Sequence, residues 1–137
     1  MPEGMARVLI RALIVWVVIM AAESIHGIAR RLFLEPRIGD LRARQISVLI
    51  GSIIIIAITL VFVRWLTAAS AFGLILVGTI WVALTVGFEV VLGRLAMGLS
   101  WERIASDYNF FQGGFMLLGL LVMLLAPVSA AKLVKEI

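Results

Sequence analysis

The chain contains no cysteine, which removes disulfides, thiolate nucleophiles and cysteine-ligated zinc or iron–sulfur centres from consideration. It contains a single histidine, His26. A haem held by two histidines, or a di-iron centre built from two Glu-x-x-His pairs, therefore lacks ligands within one copy, and neither a metal nor a cofactor is expected. Charge is also scarce: 15% of the residues are Asp, Glu, Lys or Arg, against roughly a quarter in a soluble domain. With 64% hydrophobic residues among 137, water is not the main solvent of this chain, and no length is left for a soluble catalytic domain. No nucleophile–base–acid arrangement, phosphate-binding loop or nucleic-acid surface is visible. The net charge of +4 comes from arginines beside apolar runs, where anionic headgroups attract them. The expected partners are the lipid bilayer with its anionic headgroups and either further copies of the chain or a partner membrane subunit, with no nucleic acid.

What the chain does contain is four apolar runs, each close to the about 20 residues that cross about 30 Å of hydrocarbon. They predict an all-α polytopic membrane protein. It is a single domain over residues 1–137, an antiparallel four-helix bundle with helices at about 5–29, 46–66, 71–91 and 110–131. The isoleucine-rich run "ISVLIGSIIIIAITLVFV" is read as helix rather than strand, because in lipid only helices and closed barrels satisfy their own backbone. The first run, preceded by Arg7 and Arg11, has the outline of a secretory signal, but Met20 before Ala22 makes a poor cleavage site. It is expected to stay as helix 1.

The connections are unequal. "RWLTAAS" between the second and third helices leaves room only for a tight turn, so the longer connections, Arg30 to Arg44 and Gly93 to Asn109, emerge together at the opposite end. Each is expected to hold a short interfacial helix. Pro36 suits a first-turn position, Asp40 the start of the next helix, and Ser100 followed by Glu102 a helix start. Seven arginines lie at that end, against five basic residues at the other. The positive-inside rule then places the long connections in the cytoplasm and the termini outside, in a membrane of the bacterial plasma-membrane kind. Glu23, Glu35, Asp40, Glu89, Glu102 and Asp107 fall at the same end, which makes it a concentrated polar layer. A faint repeat runs through that layer, since Glu23-x-x-x-Gly27 recurs as Glu89-x-x-x-Gly93, in the manner of the duplicated hairpins of transporters.

Glu23, His26, Gly27 and Arg30 fall at i, i+3, i+4 and i+7 and share one helix face. Ionisable groups placed in a membrane span usually face the interior or water and mark a working site. Glu89 sits at the same end of the third helix, followed by Arg94. Two carboxylates at one depth can share a proton or a cation, whereas an arginine beside either of them makes a static ion pair. The segment "SWERIASDYNFFQGG" adds Asp107, Tyr108, Asn109 and Gln112 to the layer, and Trp101 and Tyr108 suit the membrane interface. Ser47, Gly51, Ser52, Gly73, Gly78 and Gly119 mark close helix packing.

Four short helices with a glutamate in the first resemble the small multidrug-resistance transporters, and the glycine preceding arginine in "HGIARR" is similar to fluoride channels. The aromatic and glycine pattern of the first family and the asparagine-containing second helix of the other are missing, so only the general form carries over, in which small four-helix chains work as oligomers. The expected function is a transporter or channel protomer, working as a homo-oligomer. In it Glu23 and Glu89 handle a proton, ion or small solute, and His26, Arg30 and Arg94 tune them. A non-catalytic accessory subunit of a larger membrane complex and a membrane-embedded lipid-modifying enzyme are the alternatives.

Overall fold

Between Pro2 and Pro36 the chain has no proline, and a helix that begins in the first apolar run meets nothing that must break it. A computed structural model describes residues 3–66, 70–109 and 114–134, apart from the side chains of Glu3 and Asp107. In it α1 (Glu3–Ala29) passes through a π turn at Arg30–Leu34 into α2 (Glu35–Ile38) without leaving helical geometry. Pro36 lies in the first turn of α2, directly after the π turn that the Glu35 N–H closes by donating to Arg30 O.

The connection expected from Arg30 to Arg44, with a short interfacial helix within it, is thereby corrected in its bounds. Gly39 alone interrupts the helix, and α3 (Asp40–Leu66) begins at Asp40 rather than near 46. Gly39 takes φ +87°, a left-handed conformation that glycine adopts without steric cost. Its N–H donates to Glu35 O at 2.9 Å and its carbonyl accepts from Ala43 N at 3.1 Å, so both abutting helix ends are satisfied.

Ser70 caps α4 (Ala71–Val91) by accepting from the Gly73 N–H at 3.1 Å, and α4 runs on through a π turn at Leu92–Ala96. Ser100 caps α5 (Trp101–Tyr108) in the same way, through the Arg103 N–H. The last helix, α6 (Met116–Leu133), starts later than the expected 110, because Gly114 and Phe115 are not helical. Residues 110–113 lie outside the described residues.

Four stretches, Gly4–Ile38, Asp40–Leu66, Ala71–Ala96 and Met116–Leu133, are long and apolar enough to cross a membrane. Only 28–33% of each apolar window is buried against the rest of the chain. The outward side chains include Ile25, Ile53, Val61 and Phe72, each at least two-thirds exposed. Water penalises such a surface and hydrocarbon does not, which is the character of a membrane protein.

The four long helices close a ring of contacts, α3 against α1 and α6, and α4 against α6 and α1. Arg11 donates to Trp65 O at 2.7 Å and its guanidinium stacks over the Trp65 ring, while the Glu23 carboxylate meets Gly51. The two pairs fix α1 and α3 in opposite directions. Trp81, fully buried, donates to Ala12 O at 2.9 Å, and Trp16 donates to Thr85 Oγ1 at 3.0 Å, so α1 and α4 run the same way. The Thr85 hydroxyl in turn donates a hydrogen bond to Met123 Sδ, which ties α6 to the same core of Val15, Ile19, Ile55, Val77, Trp81 and Met123. At Gly78 the Leu124 carbonyl occupies the space a side chain would need, the close backbone approach typical of membrane helix pairs.

Candidate functional site

The reversal at Gly39 lays α3 antiparallel along α1. Glu23 faces Gly51, His26 lies beside Ser47, and Arg30 and Arg44 line the same cavity. These rungs form one wall of a cavity of about 450 Å³, which α4, α5 and α6 complete with Thr85, Glu89, Arg103, Tyr108 and Met123. A helix rises about 1.5 Å per residue, so Glu23 lies about 10 Å farther into the chain than Arg30. Beyond Glu23 the floor is Met20, Ile55, Leu120 and Met123. From the mouth inward the lining passes from arginines to Glu23 to a largely apolar end, with Glu89 and Thr85 on the α4 side.

The contacts of Glu23 decide whether this layer is a lock or a site. Among the described residues no arginine pairs with it, and its Oε1 is buried without a hydrogen-bond partner. Its near neighbours are the Gly51 backbone, whose missing side chain makes the seat for the carboxylate, and Glu89, close enough for its charge to act on Glu23. His26 Nε2, Arg30 Nε and Ser47 Oγ are likewise buried without partners among the described residues. Burying polar groups unpaired costs about 1–3 kcal/mol each, more for charged ones, and folded chains rarely gather several in one place. A cavity of this volume has room for water or a small molecule to meet them.

At the mouth the charges are handled differently. Asp40 accepts from Arg44 at 3.2 Å and from Arg103 at 3.1 Å, and Arg44 also reaches Ser106 Oγ at 3.5 Å. Asp40 therefore neutralises two of the lining arginines and fastens α5 to the start of α3. No such partner reaches Arg30 among the described residues.

Of the residues expected in the layer, Glu23, His26, Arg30, Glu89 and Tyr108 line the one cavity. Arg94 does not. Its guanidinium donates to Leu99 O at 3.0 Å and stacks 4.7 Å from the Trp101 ring centroid, bracing the turn before α5. Asn109 is exposed beyond α5, with its backbone carbonyl accepting from Gly114 N. Gln112 and the Asp107 side chain lie outside the described residues. Sequence reasoning missed Arg44, Arg103 and Thr85 as lining residues and read Gly51 as ordinary packing. Gly39 signals that α3 turns back along α1, but not which α3 residues meet the helix 1 stripe. Among the described residues no three His, Asp or Glu side chains gather as metal ligands. Compared with protein-family models, curated proteins and solved structures, the chain matches none.

Proposed function

We propose that the chain is a membrane transport protomer, an antiparallel bundle of four spanning helices with α5 lying at the interface and the arginine-rich end in the cytoplasm. Glu23 and Glu89 handle a cation or proton in the cavity, and Arg30 takes the place at its mouth that Arg94 does not fill. The observation that carries this reading is the Glu23 carboxylate, buried in a cavity with no counter-ion from the described residues. An uncompensated charge in low dielectric is costly. It is relieved by a proton or by a cationic ligand, and exchange of one for the other is the coupling that transport needs. The cavity is enclosed by one chain, so homo-oligomers would form through the outward apolar faces and carry one site per copy.

The test is solute-driven proton flux in proteoliposomes. Glu23→Gln and Glu89→Gln should each lower it at least tenfold with the reconstituted protein intact, and flux unchanged in both would sink the proposal. A lipid-modifying enzyme is the second reading, favoured by the unpartnered His26 Nε2 at the cavity wall. Headgroup turnover in phospholipid vesicles that vanishes in His26→Ala would establish it.

A further inference from the structure

The cavity holds two ionic groups of opposite sign that could have neutralised each other and do not. Glu23 and Arg30 lie on one face of α1, at i and i+7, and each keeps a buried polar atom without a partner among the described residues. The remaining lining arginines are accounted for, because Asp40 holds Arg44 and Arg103 and Arg31 is exposed. A purely cationic ligand would satisfy Glu23 and leave Arg30 unpaired. A purely anionic one would do the reverse and meet repulsion from two carboxylates. A ligand carrying both charges satisfies both groups at once.

The layers also fix the order of those charges. The apolar floor lies beyond Glu23, and Arg30 lies about 10 Å nearer the mouth by helix rise. We infer that the cavity takes a small zwitterion with an apolar substituent, an ammonium group next to that substituent, and an acidic group at the far end. The substituent lies on Met20, Ile55, Leu120 and Met123, the ammonium against Glu23, and the acid at Arg30. This rests on the transport reading for its purpose but not for its chemistry. A cavity of about 450 Å³ is within the range of small-molecule sites, about 300–1,000 Å³. The same two charges occur in zwitterionic lipid headgroups, but in the opposite order relative to the apolar chains, acid first and ammonium outermost.

The experiment is calorimetric titration of the full chain in phosphatidylglycerol nanodiscs, which contain no zwitterionic lipid. Four probes share a hexyl chain: hexyltrimethylammonium, hexylsulfonate, a hexyl sulfobetaine with the ammonium next to the chain, and hexylphosphocholine with the phosphate next to the chain. The sulfobetaine should bind at least tenfold more tightly than each of the others. Glu23→Gln should weaken sulfobetaine and ammonium binding tenfold or more while sparing the sulfonate, and Arg30→Gln should weaken sulfobetaine and sulfonate while sparing the ammonium. Gly51→Ala, which adds one methyl group under the carboxylate, should reproduce the Glu23→Gln pattern in a protein that still elutes as a single species. Tighter binding of the phosphocholine would overturn the charge order and point to a lipid headgroup. Equal binding of sulfonate and sulfobetaine, or no binding of any probe, would overturn the zwitterion. Sulfobetaine binding without flux would leave this inference standing and remove the transport reading.

Discussion

Gly51→Ala separates the stability of this fold from the working of its cavity. Gly51 lies in the middle of α3 and is buried. Alanine is favoured over glycine inside a helix by about 1 kcal/mol, so the backbone alone should gain. The added Cβ meets no backbone among its three nearest atoms. All three belong to the Glu23 carboxyl group, with Oε2 at 2.7 Å, Oε1 at 3.2 Å and Cδ at 3.4 Å. The end of a flexible side chain can retreat, and Oε2 must move from 2.7 Å to at least 3.4 Å before the contact becomes ordinary. That displacement takes the carboxylate off its seat and out of hydrogen-bonding range of anything placed to meet it. A hydrogen bond to a charged group contributes about 1.5–3 kcal/mol, so cation-dependent binding should fall by about tenfold to a hundredfold. Thermal unfolding in detergent should show a midpoint equal to or above that of the parent, while calorimetry with the sulfobetaine probe shows the loss. If the variant binds and transports as the parent does, Glu23 is not held at Gly51 in the working protein and the seat has no role. A lowered midpoint would instead mean that the packing of α1 on α3, not the carboxylate, fills that space.

Two further substitutions probe the frame around the cavity. Gly78→Ala places a Cβ against the Leu124 carbonyl, a backbone atom that cannot yield, so α4 and α6 must separate. Overpacking of this kind costs about 1–3 kcal/mol, read as a lowered thermal midpoint. Asp40→Asn removes the shared anion from Arg44 and Arg103. Because Asp40 is about two-fifths exposed, the stability lost should stay within about 1 kcal/mol. Amide exchange across α5 should nevertheless rise, and exchange confined to the parent rate would show that α5 is held by something else.

Much of this organisation was legible in the sequence because hydropathy and helical spacing act locally. The uncharged stretches mark the four long helices, and the i, i+3, i+7 spacing by itself puts Glu23, His26 and Arg30 on one face. Ser100 and Pro36 sit at helix starts, since capping and first-turn preferences also need only neighbours in sequence. The connection from Arg30 to Arg44 is shorter than expected because its charged residues continue the two long helices almost to Gly39. Arginine, leucine and glutamate are good helix formers, and a helix that leaves hydrocarbon has no reason to stop until a residue such as Gly39 turns it. Arg94 was assigned to the layer by its position beside Glu89. Its direction was set by Trp101 and the Leu99 carbonyl, which are contacts of a turn that spacing rules do not describe. Arg103 enters the lining through a side-chain pair reaching across to Asp40, a relation between distant residues that no local pattern encodes.

The single-residue reversal at Gly39 also has a consequence for biogenesis. Glu23, His26, Arg30, Arg44, Ser47 and Gly51 all belong to the first two long helices, so this wall of the cavity depends on contacts close in sequence, the kind that form early. A charged residue entering the bilayer alone meets a barrier of about 2.5–3.5 kcal/mol. If α1 and α3 enter as a closed hairpin, the acid and the arginines cross facing a common polar seam instead of lipid, before α4 and α6 have emerged. Lengthening that one-residue corner by a single amino acid would rotate one strand of the seam by about 100° against the other, delivering the same residues to the membrane with their charges pointing apart.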